Sequence, residues 1–246
     1  MPLRSLYGLY AAALFLAVAL TALLGVILLP TLPLRRGTAR IAARTFFALA
    51  GMPVRLRGKA NLPAGQCIVV ANHASYLDGV VMTAALPARF GFVVKREMNN
   101  VPLAGLLLRR IGTEFVDRFN RHKGGTDARR VLRTAASGHS LVFFPEGTFT
   151  PEVGLGKFHG GAFAIAARAA CPVVPTVILG TRRNMPATRI LPRPGPIEVR
   201  FGAPILPMPA SAEEDQALRL RDASRAAILT QLGEPDLCER ATGTGR

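Results

Sequence analysis

The chain has 246 residues, long enough for one large domain or two small ones with a sizeable core. Half of the residues are hydrophobic, which argues against disorder, and three cysteines (Cys67, Cys171, Cys238) without CxxC or CxH spacing argue against a disulfide framework or a zinc site. The formal net charge of +16 points to acidic partners: nucleic acid, anionic lipid, or phosphorylated and carboxylated ligands.

From Ser5 to Leu34 no residue is charged, and the 24 residues LYGLYAAALFLAVALTALLGVILL are overwhelmingly apolar. As a helix this run reaches about 36 Å, enough for a hydrocarbon core of about 30 Å. It is longer than the apolar region of a signal peptide, so it reads as a retained anchor. The first acidic residue of the chain is Asp78, and the unbalanced basic residues before it lie mostly after the apolar run. The positive-inside rule then puts the C-terminal body in the cytoplasm. The next stretch, LRRGTARIAARTFFALAGMP, predicts a second helix with Arg36, Arg40 and Arg44 on one stripe. Together with Ile41, Phe46, Phe47 and Leu49 this is the pattern of a helix lying on anionic lipid. Two helices joined by Pro30-Thr31-Leu32-Pro33 form either a spanning anchor or a hairpin dipping into one leaflet.

After Gly51 short apolar runs bounded by turn residues predict buried strands: VRLRG (54–58), CIVVA (67–71), FGFVV (90–94), LVFF (141–144), VVPTVIL (173–179) and IEVRF (197–201). Helices are expected between them at 78–86, 102–110, 125–137 (closed by Gly138) and 160–170. The alternation predicts an α/β fold with a mixed, largely parallel sheet flanked by helices. Residues 181–196 read as an exposed loop. Residues 211–232 read as a helix opened by a Ser211/Glu214 capping box. The expected organisation is membrane-binding helices at 1–50, an α/β domain at 51–233 and a polar C-terminal tail at 234–246.

In open α/β sheets ligands collect beyond the carboxyl ends of the strands. Two unusual segments fall there: Asn72-His73 with Asp78 after CIVVA, and Pro145-Glu146-Gly147-Thr148 after LVFF. An imidazole at an accessible strand end is suited to general-base work near neutral pH, and a carboxylate on its far nitrogen orients it. An unbroken helix would set residues 73 and 78 roughly 140° apart, so the pair meets only if a turn intervenes. There is no GxSxG elbow and no cysteine in a polar setting, so the nucleophile is expected to be a hydroxyl of the substrate. Arg118, in GTEFVDR, is a fork donor for phosphate or carboxylate. Gly147 and Thr148 offer close backbone approach, free N–H groups and a hydroxyl.

His73-x4-Asp78, GTEFVDR, FPEGT and the VVPTVIL strand, in that order, resemble the four blocks of the glycerol-phosphate/lysophosphatidic acid acyltransferase family over about residues 67–180. The resemblance implies an α/β domain behind a membrane-binding helix pair. It implies transfer of a fatty acyl group from acyl-CoA or the acidic acyl carrier protein to a lysophospholipid, with 1-acylglycerol 3-phosphate becoming phosphatidic acid. No metal or organic cofactor beyond that donor is expected. His73 would be the base and Asp78 its orienter; Arg118, Glu146, Gly147 and Thr148 would hold the acceptor's phosphate, and Lys95 matches a commonly basic position. Two departures stand out. Phe149 follows Gly147-Thr148 where the family often has arginine, and Phe158-His159, with Lys157 one place earlier, replaces a usual phenylalanine–lysine pair. Losing two cations there brings lyso-ornithine lipid or another lysophospholipid into play as acceptor.

A membrane-tethered nucleic-acid binder is the reading from another class. The sequence offers no helix-turn-helix signature, no aromatic-basic interleaving and no zinc spacing, and much of the basic excess sits beside the apolar segment, where anionic headgroups account for it. No nucleic-acid partner is expected.

Overall fold

The computed structural model describes residues 3–117, 121–208 and 213–239. Helix α1 (Leu3–Leu28) and helix α2 (Leu32–Leu49) run antiparallel, because the start of one is tied to the end of the other: the hydroxyl of Tyr7 donates to Ala50 O (2.7 Å) and that of Tyr10 to Leu49 O (3.0 Å). The intervening turn is closed by Arg35, whose guanidinium donates to Leu29 O (2.8 Å) and Pro30 O (3.2 Å), so a cation satisfies carbonyls that the end of α1 leaves open.

Seven strands form one sheet in the order β1-β7-β6-β2-β5-β3-β4. They are β1 (Val54–Arg57), β2 (Ile68–Ala71), β3 (Phe90–Lys95), β4 (Glu114–Val116), β5 (Ser140–Phe143), β6 (Val173–Leu179) and β7 (Ile197–Phe201). All pairings are parallel except β6 with β7. The sheet is therefore mixed and largely parallel, as expected. All four residues of β2 are buried, because helices cover both of its faces. Val69 and Ala71 enter a core with α2 and α3 (Leu77–Ala85), while Ile68 and Val70 enter a second core with α5 (Arg121–Ala136), α6 (Gly161–Arg168) and α8 (Glu213–Leu232). Helix α4 (Ala104–Arg110) and the short α7 (Thr181–Asn184) complete the set. Gly138, at φ +86°, closes α5 in the left-handed conformation that favours glycine.

Four expectations change. Phe46 and Phe47 do not face lipid: each is 2% exposed and lies in the first core. Arg36 leaves the lipid stripe, turning inward to donate to Ile111 O (2.9 Å), Arg89 O (3.2 Å) and Gly112 O (3.3 Å), which ties α2 to the domain. The segment 181–196 is not a plain exposed loop, since Thr181 and Asn184 are buried and the Asn184 amide donates to Gly195 O (2.9 Å). The polar tail is docked at least through Glu239: Leu155 pairs with the chain around Asp236, and Arg225 forms an ion pair with Asp236. Strand β4, inside GTEFVDR, was not anticipated as a strand. The Ser211 end of the capping box lies outside the described residues.

Candidate active site

Strands β2, β5 and β3 are neighbours and point the same way, so their carboxyl ends share one edge of the sheet. The register Val70↔Phe143, carried three residues on, sets His73 beside Glu146. Asn72 turns the chain out of β2 by continuing its ladder with a side chain: its Oδ1 accepts Ile178 N–H (2.7 Å) and its amide donates to Ile178 O (3.0 Å). Ser75 then makes the turn. Its hydroxyl donates to Met185 O (2.7 Å) and accepts Leu77 N–H (3.1 Å). Asp78 N–H donates to Ser75 O (3.2 Å), and α3 begins.

That turn closes the five-residue gap. His73 Nδ1 lies 2.9 Å from Asp78 Oδ2, and the same oxygen accepts the N–H groups of Ala74 (2.6 Å) and Ser75 (2.8 Å). An oxygen already receiving two backbone donors acts as acceptor to the third, so Nδ1 carries the imidazole hydrogen and Nε2 presents its lone pair. Asp78 is fully buried, whereas 18% of the His73 side chain is exposed. The imidazole stacks on Phe144 (centroids 4.5 Å, 25°) and meets Phe149 edge-on (4.7 Å, 69°); Phe149 also abuts Tyr76 (4.7 Å, 89°).

Glu146 was expected to help hold the acceptor's phosphate and shape the site, or to bind the neighbouring turn, and both of its carboxylate oxygens are engaged within the chain. Oε1 accepts His73 N–H (2.7 Å) and Oε2 accepts Gly156 N–H (2.9 Å), so the carboxylate is a bridge within the chain. Burial pushes its pKa up, and these two N–H donors oppose the shift. Gly147, at φ +83°, makes a tight turn in which its own N–H donates to Phe144 O (3.0 Å), so that group is not free for an acceptor phosphate. Thr148 and Lys95 are exposed and line the cavity described next. Arg118 lies outside the described residues. His159 is exposed and fastened through its backbone N–H to Pro145 O (2.8 Å); Phe158 is a core residue and Lys157 is exposed. Among the described residues no three His, Cys, Asp or Glu side chains stand together as a metal site would require.

Beside His73 opens an apolar cavity of about 370 Å³. One wall is the edge of the sheet and α3 (Phe92, Val80, Thr83), and α4 supplies Leu107 and Leu108. The opposite wall is Phe15, Val18, Ala19 and Ala22 of α1 with Ala39, Ala43 and Phe46 of α2. The helix pair is thus part of the site, which the sequence did not reveal. The aromatic cage around His73 was also missed, although Phe144 and Phe149 sit inside the very motif that flagged the strand end.

An α/β domain with an oriented imidazole at a strand end, beside an apolar cavity with room for a hydrocarbon chain, is an arrangement suited to an enzyme acting on a hydroxyl next to a lipid chain. The comparisons agree: residues 53–179 match the family model described as Acyltransferase, and the chain belongs to that family. It is 32% identical over 188 residues to a 1-acyl-sn-glycerol-3-phosphate acyltransferase of Saccharomyces cerevisiae, covering 72% of this chain and 62% of the relative. It is 33% identical over 133 residues to a chloroplastic 1-acyl-sn-glycerol-3-phosphate acyltransferase of Brassica napus (53% of this chain, 38% of the relative). It is 34% identical over 141 residues to a lyso-ornithine lipid O-acyltransferase of Pseudomonas aeruginosa (56% and 52%). The chain spans about half the length of the curated relatives it matches. The fold matches the crystal structure of the 1-acyl-sn-glycerophosphate (LPA) acyltransferase PlsC from Thermotoga maritima with a TM-score of 0.75, at 22% identity, over 91% of this chain and 95% of that one.

Proposed function

We propose that this chain is a membrane-associated acyltransferase that moves a fatty acyl group from acyl-CoA or acyl carrier protein to the hydroxyl of a lysophospholipid, with 1-acylglycerol 3-phosphate as acceptor and phosphatidic acid as product. The observation that carries the reading is the His73–Asp78 pair at the mouth of the apolar cavity. Nε2 of His73 takes the proton of the acceptor hydroxyl while that oxygen attacks the thioester carbonyl. The tetrahedral species collapses with loss of the carrier's thiolate, which receives the proton from the imidazolium. Asp78 stabilises the imidazolium and fixes the ring. The new ester contains the acceptor oxygen and the acyl carbonyl, the carrier leaves as its thiol, and no acyl-enzyme forms. The step balances with the acyl donor and the acceptor hydroxyl as its two reactants.

Cavity position and chemistry support the hydrocarbon assignment: the acyl chain lies among alanines and phenylalanines of α1 and α2. The same helices supply the membrane contact. The residues of α1 that face the domain run from Ala11 to Val26, so a perpendicular crossing would carry α4, with Arg109 and Arg110, into hydrocarbon. We therefore infer that α1 and α2 enter one leaflet without crossing, on the cytoplasmic side, with Arg40 and Arg44 near anionic headgroups.

Phe149 favours a second acceptor. Its ring packs edge-on against His73 at the position where the resembling family often carries arginine, so residue 149 brings no cation to an acceptor phosphate, which supports lyso-ornithine lipid or another lysophospholipid. The test is acyl transfer by purified protein from labelled acyl-CoA and acyl carrier protein to a panel of lysophosphatidic acid, glycerol 3-phosphate, lysophosphatidylglycerol and lyso-ornithine lipid. Labelling of lysophosphatidic acid alone supports the first reading. Labelling of another acceptor moves the protein to the second, and no labelling with any pair rejects both.

A further inference from the structure

The segment after α8 takes no part in the chemistry above, yet a continuous set of bonds links it to His73. Arg225 of α8 grips Asp236 with two nitrogens (Nη1–Oδ2 2.7 Å, Nη2–Oδ1 2.5 Å) and donates to Gly156 O and Leu155 O (both 3.1 Å). Arg182 of α7 repeats the arrangement. It grips Glu234 (Nε–Oε1 3.2 Å, Nη2–Oε2 3.1 Å) and donates to Thr150 O (3.3 Å), Glu152 O (2.7 Å) and Gly154 O (3.3 Å). Leu155 also pairs directly with the segment, donating to Pro235 O (2.9 Å) and accepting Leu237 N–H (3.1 Å). The approach at Gly154 requires glycine, since a Cβ there would sit 2.6 Å from both Pro235 O and Leu237 Cγ.

What these two arginines hold is the far limb of the loop between β5 and α6. Its near limb carries Phe144, Glu146 and Phe149 around the imidazole. The limbs are joined by Gly156 N–H to Glu146, and Glu146 is joined to His73 N–H. Each arginine is charge-balanced by an acid of the C-terminal segment, and both pairs are mostly buried (18% and 12% side-chain exposure for Arg225 and Asp236, 16% and 22% for Arg182 and Glu234). Screening there is weaker than at the surface, and a fork-shaped cation bound to a carboxylate has little freedom to wander.

We infer that residues 234–239 form a clamp which, through Arg182 and Arg225, sets the height of Glu146 and so the position of His73, making Arg225 and Asp236 positioning residues for the acyl transfer proposed above. This inference rests on that reading for its kinetic readout. Displacement of a catalytic group by about 1 Å costs up to ~100-fold in rate even when the change is remote.

The test uses the full chain in lipid vesicles. Asp236→Asn loosens the ion pair, Arg225→Lys keeps the charge but loses the carbonyl bonds, and Asp236→Glu restores the carboxylate. Arg168→Ala is the control: it removes the exposed Arg168–Glu213 pair, which touches none of the loop. Thermal stability, kcat and both KM values are measured, with hydrogen–deuterium exchange of the peptides containing His73 and Gly156. The expected result for Asp236→Asn and Arg225→Lys is a kcat about 10- to 100-fold lower, with both KM values within about 3-fold. The amides of Gly156 and His73 should exchange faster, Asp236→Glu should recover part of the rate, and the control should change nothing. Unchanged kcat in a folded Arg225→Lys, or a loss of kcat without faster His73 exchange, overturns the inference. Should the wild-type protein label no acceptor, the acyltransferase reading falls, while the exchange measurements still decide the clamp.

Discussion

Replacing Asp78 by asparagine tests the site sharply, because its two carboxylate oxygens are used unequally. Oδ2 takes all three hydrogen bonds, from His73 Nδ1, Ala74 N–H and Ser75 N–H, while Oδ1 is buried without a partner among the described residues. An asparagine that puts its amide oxygen at the Oδ2 position keeps every one of these bonds and the same imidazole tautomer. It loses the charge that faces the imidazolium in the transition state. A unit pair at about 4 Å is worth about 4 kcal/mol in an effective dielectric near 20, and the neutral hydrogen bond that survives retains about 1 kcal/mol. The remaining ~3 kcal/mol is a kcat reduced about 150-fold. The amide NH2, set into the partnerless Oδ1 position, costs about 1–3 kcal/mol of stability, or roughly 2–4 °C of Tm per kcal/mol. Steady-state acyl transfer and a thermal melt read the two effects separately. A fall of about 10⁴-fold, the scale of a reversed imidazole tautomer, would show the amide turned the other way and refute the assignment of Oδ2. An unchanged kcat would remove Asp78 from the chemistry.

His73→Ala is expected to abolish transfer while vesicle sedimentation and the melt stay near wild type, since its backbone N–H to Glu146 survives; retention of most activity would end its role as base. Glu146→Gln replaces one acceptor by a donor, leaving either His73 N–H or Gly156 N–H facing NH2, and a loss of about 1–3 kcal/mol in stability with lower kcat is expected; a neutral result would mean that the bridge is dispensable. Arg225 beside Asp236 lowers that carboxyl from 3.8 to about 2. With the folded value below the unfolded one, the stabilisation is complete above about pH 4, amounts to about 2 kcal/mol and is lost as the pH falls from about 4 towards 2. Acid unfolding of Asp236→Asn should lack this limb, and a curve that still falls there as in the wild type would refute the shift. Ala22→Phe adds a ring to the cavity wall, so long-chain donors should lose kcat/KM at least about 10-fold more than short ones; equal losses at every length would mean that α1 does not bound the acyl chain.

The strand-end pairing of His73 with Asp78 was legible because parallel strands covered on both faces read as continuous apolar runs, and the break at Asn72-His73 marks where β2 leaves the sheet. The neighbouring positions of β2 and β5 then join two motifs that lie 73 residues apart, His73 and Glu146. Periodicity on α2 revealed a stripe but not its surroundings. A stripe fixes angles around a helix axis, and it does not say whether lipid, water or protein lies outside. Arg36 looked like its neighbours Arg40 and Arg44, yet its carbonyl partners are 53 to 76 residues distant. Strand β4 has only Phe115 and Val116 as an apolar run, too short to register. The docking of 234–239 was not legible for a physical reason: Glu234 and Asp236 neutralise Arg182 and Arg225, and composition cannot distinguish a buried partner from a solvated one.

Helix α1 was read as an anchor because it is apolar all round, and its two faces meet different surroundings. Ala11, Ala22, Leu23 and Val26 are buried against the protein, while Leu6, Leu16, Leu20, Leu24 and Leu28 are exposed on the other side. Small residues on the inner face leave room for the cavity, and leucines on the outer face offer a continuous apolar surface too large for water to favour. With α1 and α2 placed in the leaflet as proposed above, only this helix pair separates the cavity from the bilayer. Each methylene moved from hydrocarbon into water costs about 0.8 kcal/mol, so an acyl chain of about ten methylenes that crossed open water would face a barrier of about 8 kcal/mol. A chain that slides from the leaflet past α1 and α2 avoids that barrier. On this reading anchor and wall are one structure, and loosening α1 from α4 or α2 should impair turnover with long-chain lipids before it releases the protein from the membrane.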